Sequence, residues 1–376
     1  MRTFRVGGAV RDALLGLPVN DTDWVVVGAT PEEMIQAGYL PVGKDFPVFL
    51  HPDTREEHAL ARTERKTGRG YRGFSFHTSA EVTLEEDLAR RDLTINAIAQ
   101  ADDGSLIDPF GGQQDLRRKV LRHVTESFRE DPVRILRVAR FGARFHDFAL
   151  APETLDLMRA MVAEGEADHL VPERVWQELA RGLMEPRPAR MLEILQACGA
   201  LARIVPEVAA SEAILRVVDR AASVDAPLPV RFACLTAGLE AAQVKQLCER
   251  LRVPNECREL AEVVARERAA IDSTPPADAE AMVRLLERCD AFRKPQRFED
   301  VLLACECIAR SASGERPYPQ RPQLSAALRA ARSVDTSVIA ARARDEGLAG
   351  DAIGQRIQQA RVQVVRDAQT SRASAA

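Results

Sequence analysis

The apolar residues of this chain change their period near Asp115, so its fold has to combine two kinds of structure. Before that point short apolar runs suit strands, at residues 3–6 and 24–27 and more weakly at 48–50 and 58–61. Residues 9–15 read as a helix that Gly16 and Pro18 end, residues 84–99 as a second helix, and residues 106–109 as the close of this part. Residues 66–79, KTGRGYRGFSFHTS, are rich in Gly, Ser and Thr and read as a mobile basic loop. After Asp115 strand signals vanish and apolar residues recur at helical spacing, as in Val133, Leu136 and Phe141, or Val175, Leu179 and Leu183. Residues 153–163, 188–198, 241–251 and 279–289 are expected helices set apart by Pro or Gly, and the last dozen residues are expected to fray. The expected fold class is α/β plus all-α: a small head with a mixed sheet and helices, then a long helical portion.

No apolar run approaches the roughly 20 residues that cross a bilayer, and residues 1–10 lack the apolar stretch of a signal peptide. Seven cysteines lie scattered from Cys198 onward without a CxxC pair, which suits free thiols in a reducing cytoplasm. The net charge of −4 hides two basic stretches. Residues 62–72 carry Arg62, Arg65, Lys66, Arg69 and Arg72 against Glu64 alone, and residues 117–144 carry nine basic side chains against Glu126, Glu130 and Asp131. Local cationic patches in an acidic whole suit a chain that grips phosphates at chosen places.

Three clusters carry candidate chemistry. In NDTDWVVVG, Asp21 and Asp23 flank one residue at the start of a strand, so alternation turns both carboxylates to one face. Such a pair suits Mg²⁺ ions that bridge the attacking and leaving oxygens of phosphoryl transfer. Just upstream, Gly7 and Gly8 lie between a strand and a helix, where backbone N–H groups can approach a triphosphate, and Arg11 follows on the first turn. In RRDLTINAIA, Arg91 can hold the triphosphate or ribose, while Asp92 and Asn96, four residues apart on a helix, can orient the sugar or brace the site. In EDPVRILRVARF, Pro132 suits the first helical position and makes Asp131 the expected N-cap. Arg134, Arg137 and Arg140 then recur every third residue, either as a solvated stripe or as a surface for the base, phosphates or RNA.

VGGAVRDALLGLPVNDTDW, RRDLTINAIA, IDPFGG, EDPVRILRVARF and PERVWQEL, in this order, resemble the motifs of bacterial tRNA CCA-adding enzymes of the second class. These belong to the polymerase-β-like nucleotidyltransferases. The likeness is near-continuous from Arg5 to about Leu183 and is of the proteobacterial type; beyond Arg203 it is partial. It implies addition of C, C and A to the 3′ end of tRNA from CTP and ATP, with Mg²⁺ as cofactor and pyrophosphate as product. It assigns triphosphate binding to Gly8 and Arg11, metal binding and catalysis to Asp21 and Asp23, and nucleotide contact to Arg91. Base reading falls to Asp131 and Arg134, with Arg137 and Arg140 also lining the pocket. A third metal carboxylate, Glu64 or Asp92, stays open.

The same resemblance implies a head at 1–114, a helical neck with the base-reading helix at 115–186, a body at 187–268 and a tRNA-binding tail at 269–376. The expected partner is tRNA, through its 3′ end and acceptor/TΨC region, with no membrane and no obligate protein partner. The basic loop matches the element that, in the family, helps switch between C and A. Proteobacterial members often add a phosphohydrolase site built on His and Asp. Here Thr236-Ala237-Gly238 stands where a His-Asp pair is expected and no histidine follows His169, so that activity is expected to be absent. A poly(A) polymerase, partial CC-only or A-only addition, and a tRNA-binding protein without catalysis are the alternatives.

Overall fold

A computed structural model describes residues 1–19, 21–42, 48–66, 74–275, 278–314 and 316–373, which pack as two compact units, Met1–Pro206 and Glu207–Ala376. The first unit opens with β1 (Arg2–Val6), α1 (Gly8–Leu14), β2 (Asp23–Val27), α2 (Pro31–Gln36), β3 (Leu40–Val42), β4 (Val48–Leu50) and β5 (Glu57–Leu60). A ribbon of β6 (Arg62–Lys66) and β7 (Phe74–Thr78) follows, then α3 (Leu84–Ala89), β8 (Ala99–Gln100) and β9 (Leu106–Ile107). The unit continues through α4 (Gly112–Arg118), β10 (Val120–Leu121), α5 (Val133–Arg144), β11 (Ala149–Leu150) and α6 (Pro152–Ala163). It ends with α7 (Pro172–Met184), α8 (Pro188–Ala197) and α9 (Leu201–Ile204).

β2 is central to the sheet order β3-β4-β5-β2-β1-β8-β9. It runs antiparallel to β1, with Asp23 opposite Val6, and parallel to β5, with Asp23 opposite Glu57. Alternation along β2 sends Val25 and Val27 to a core with Phe4, Val6, Leu84 and Leu88, and Val26 to a second core with Met34, Phe49 and Leu60. Both faces are thereby covered, which fits the unbroken apolar run of β2. The chain end of β1, the start of β2 and the start of β5 meet at one edge of the sheet, and this edge carries the chemistry.

The second unit consists, among the described residues, of helices α10 (Glu212–Ser223), α11 (Leu228–Leu235), α12 (Ala241–Leu251), α13 (Asn255–Ser273) and α14 (Ala279–Arg288). They are followed by α15 (Pro295–Ser313), α16 (Gln320–Arg332), α17 (Thr336–Asp345) and α18 (Asp351–Ala373). The mixed-sheet head and helical remainder are as expected. The four-segment division is finer than the two units, and we retain it as a proposal.

Several elements differ from the sequence reading. Residues 84–99 do not form one helix: α3 stops at Ala89, a 3-10 turn spans Thr94–Asn96 and β8 follows. The reason is burial on every side. Leu93, Ile95, Ala97, Ile98 and Ala99 are all fully buried, and the backbone N–H of Thr94 donates to the carbonyl of Arg122 instead of to a helical turn. Residues 74–78 of the expected basic loop are a strand paired with β6, while 67–73 lie outside the described residues. The short elements α2 and β3, and the parallel pair β10–β11 beyond Asp115, carried too little periodicity to read. The expected frayed end is helical as far as Ala373, anchored by the buried Val365.

Candidate active site

A cleft of about 690 Å³ in the first unit collects almost everything that the sequence singled out. Gly8, Arg11, Asp21, Asp23, Arg91, Asp131, Arg134, Arg137 and Arg140 all line it. Asp21 and Asp23 are exposed within it, and neither carboxylate has a hydrogen-bonding partner among the described residues. Glu57, which sequence reasoning missed, joins them because the parallel β2–β5 pairing sets it beside Asp23. An acidic residue before a weak strand gave no sign of this, since the pairing is a tertiary fact. The side chain of Glu64 lies outside the described residues.

The turn from β1 into α1 is built for close approach. Gly7 adopts φ 69°, a left-handed conformation that suits glycine, and a Cβ there would stand 3.0 Å from Nη1 of Arg91. A Cβ on Gly8 would stand 3.5 Å from Nη2 of Arg11. The two guanidiniums thus lie over the glycine pair. Arg11 is buried and fully braced: its Nε donates to Asp12 Oδ1 at 2.8 Å and its Nη1 to Asn96 Oδ1 at 2.6 Å. Its guanidinium carbon sits 5.2 Å from the ring centres of both Phe141 and Phe145. Burial lowers the Arg11 pKa and Asp12 opposes that, but a guanidinium stays charged throughout. Arg91 is held in turn by the buried Asp87, 3.3 Å from its Nη2. Burial would raise the pKa of Asp87, yet Arg90 and Arg91 outweigh it and hold the carboxyl below its ordinary value.

Asp92, left open as a third metal carboxylate, is buried at the cleft and engaged by three donors. It accepts from Leu93 N at 2.8 Å, Asn96 Nδ2 at 2.9 Å and Arg137 Nε at 2.7 Å. Burial pushes its pKa up, but Arg137, Asn96 and Arg134 outweigh burial and hold the carboxyl far below the ordinary range. Through Asn96, whose Oδ1 accepts from Arg11, it braces Arg11.

The base-reading candidates stand at the head of α5. The helix begins at Val133, one residue later than expected, yet Asp131 Oδ1 still accepts from Val133 N at 3.1 Å. Asp131 also takes a fork from Arg174, at 3.1 Å to Oδ1 and 2.7 Å to Oδ2, which fixes the plane of the carboxylate. Arg134 is buried and donates from Nη1 to the carbonyl of Ser127 at 2.6 Å. Arg137 and Arg140 are not a solvated stripe. Arg140 Nε donates to buried Glu178 at 2.6 Å, while Arg137 has its Nε on Asp92 and its Nη1 3.8 Å from Glu178. Arg174 and Glu178 both come from PERVWQEL, and their i, i+4 spacing on α7 turns both toward α5 and the residues before it.

This arrangement has close relatives. Residues 3–122 match the family described as "Poly A polymerase head domain", and residues 147–212 the "Probable RNA and SrmB- binding site of polymerase A". A "Multifunctional CCA protein" of Acidovorax ebreus (strain TPSY) is 59% identical over 98% of this chain and 96% of its own length. The chain belongs to the multifunctional CCA protein family. Another member, from Polaromonas naphthalenivorans (strain CJ2), is 57% identical over 97% of this chain and 98% of its own. Family resemblance extends to solved folds. The Bacillus stearothermophilus CCA-adding enzyme in complex with CTP is similar with a TM-score of 0.72 at 27% identity, covering 97% of this chain and 89% of that one. A tRNA nucleotidyltransferase complexed with a primer tRNA and an incoming ATP analog gives 0.61 at 28% identity, covering 83% and 94%.

Proposed function

We propose that this chain is a template-independent tRNA nucleotidyltransferase that adds C, C and A to the tRNA 3′ end from CTP and ATP and releases pyrophosphate. The observation that carries this reading is that one cleft holds phosphate, carboxylate and base-reading groups together. Arg11 Nη2 and Arg91, over Gly7 and Gly8, receive the triphosphate. Asp21 and Asp23, with Glu57 beside them, are the hard oxygen donors that would hold Mg²⁺, and their unpartnered carboxylates fit a cation that keeps waters and substrate phosphates as its other ligands. When bound, Mg²⁺ supplies positive charge at the triphosphate and acidifies the attacking 3′-hydroxyl.

Base choice falls to Asp131 and Arg134. Cytosine and adenine each present a donor amine beside an acceptor ring nitrogen, which a carboxylate and a guanidinium complement. Arg174 fixes one side of Asp131, and the carboxylate keeps lone pairs for the amine. Uracil and guanine present a carbonyl to the carboxylate and an N–H to Arg134, and both are turned away. Arg137 and Arg140 shape the pocket through Asp92 and Glu178. No helix among the described residues is long and apolar enough to cross a membrane, and all seven cysteines are free and buried, which supports action in a reducing cytoplasm.

The test offers the purified protein each labelled nucleotide with a tRNA that lacks its CCA, and sequences the product ends. Ends that read CCA support the proposal. A run of A would indicate poly(A) synthesis, CC or A alone would indicate partial addition, and no extension would indicate a binding protein.

A further inference from the structure

Arg144 closes α5 and belongs to no role given so far, yet it reaches the cleft with the other arginines of that helix. Its Nη2 lies 2.9 Å from Asp12 Oδ2, while the other oxygen of the same carboxylate accepts from Arg11 Nε at 2.8 Å. One buried carboxylate therefore bridges two guanidiniums, one from α1 and one from α5. The ring of Phe145 sets their spacing, since both guanidinium carbons stand 5.2 Å from its centre.

The bridge has an electrostatic consequence. Arg11 and Asp12 alone form a neutral pair, which is poor bait for a polyanion. Adding Arg144 leaves the three groups with one net positive charge and ties the second oxygen of Asp12. Glu185 faces the same cluster, 3.9 Å from Nη1 of Arg140 and within the fields of Arg144 and Arg11, and offsets part of that charge. With Nε and Nη1 of Arg11 tied to Asp12 and Asn96, only Nη2 is left to point over Gly8.

We propose that Arg144 is a positioning residue for the triphosphate, acting through Asp12 to set the direction and effective charge of Arg11. The proposal rests on the reading of Arg11 as a phosphate ligand. Loss of Arg144 frees Asp12 to neutralise Arg11 and lets that guanidinium turn from the cleft. The effect should fall on the phosphate tail alone, and equally for C and A.

Binding of CTP, ATP and CMP to wild-type, Arg144→Met and Arg144→Lys proteins, with Mg²⁺ present and melting temperatures recorded, tests this. For Arg144→Met the dissociation constants of CTP and ATP should both rise about tenfold while that of CMP stays at the wild-type value. Arg144→Lys, which keeps the charge, should recover most of the loss. A destabilised scaffold would weaken CMP as much as CTP, and that result, or wild-type CTP affinity in Arg144→Met, would overturn the proposal. Should Arg144→Met fail to fold, Arg144→Lys still decides: CMP weakened as much as CTP overturns it. Failure of the wild-type protein to bind CTP would instead defeat the nucleotide-site reading on which it rests.

Discussion

Asp21, Asp23 and Asp92 carry the same functional group and differ only in what surrounds it. The first two are exposed in the cleft and have no hydrogen-bonding partner among the described residues, so they are available to cations; Asp92 is buried and accepts from three donors. Asp21→Ala or Asp23→Ala should lower nucleotide incorporation by roughly 10³-fold or more while the melting temperature stays near wild type. Incorporation within tenfold of wild type by both variants would remove the metal assignment. Asp92 should behave in the opposite way. Its folded pKa lies below its ordinary value of 3.8, so the stability it contributes is present above that value and is lost as pH falls below it. Asp92→Ala should cost about 1–3 kcal/mol at neutral pH, because Leu93 N, Asn96 and the partly exposed Arg137 each lose an acceptor while Glu178 still faces Arg137. Urea unfolding from pH 7 down to pH 3 checks both points, and a wild-type unfolding free energy in Asp92→Ala would show that Arg137 has other support.

At the level of elements, α5 is tied to α7 by Arg174–Asp131 and Arg140–Glu178 and lies against α8 at Gly142. A Cβ on Gly142 would stand 2.3 Å from Cδ1 of Ile194, so a side chain there would force the end of that buried isoleucine to move. Gly142→Ala should therefore destabilise the first unit by about 1–3 kcal/mol, despite the better helix propensity of Ala. Ile194→Ala in the same chain should return part of the loss; if Gly142→Ala raises the melting temperature, the close packing is not as described. Sequence pattern located β1, β2, α5, α6, α7, α8, α12 and α14, because each has a strong period or clear end signals, but did not single out the long helices α13, α15 and α18. It failed over residues 90–99, where a helix was read through a segment that is buried on every side from Leu93 onward and takes its hydrogen bonds from neighbouring elements. The site followed the same rule. Gly8, Arg11, Asp21 and Asp23 sit within 16 residues and were legible as a group. Asp131 and Arg134 needed the family resemblance, and Glu57, Arg174 and Arg144 became visible only once strands and helices were packed.

Across the whole molecule, two activities that the family's sequences often join are expected to part company. Unit 2 is helical among the described residues, with Thr236 buried where a His-Asp pair is expected and no histidine after His169. The purified protein should release no phosphate from mononucleotides and open no 2′,3′-cyclic phosphates, even with Ni²⁺ or Mn²⁺. A stoichiometric, metal-dependent rate would show that other ligands assemble there. In the proposed reading nucleotide transfer depends instead on the first unit, where Asp131 and Arg134 would take the place of a nucleic-acid template. The competing account makes Asp131 only a helix cap, worth about 1 kcal/mol of stability and without influence on base choice. Incorporation from all four nucleoside triphosphates by wild-type, Asp131→Ala and Arg134→Ala proteins, on a tRNA that lacks CCA, separates the two most directly. The wild-type protein should prefer CTP and ATP over UTP and GTP by roughly 10⁴-fold, and each folded variant should lose that preference or lose CTP and ATP use together. Unchanged base preference in both variants would contradict a protein template.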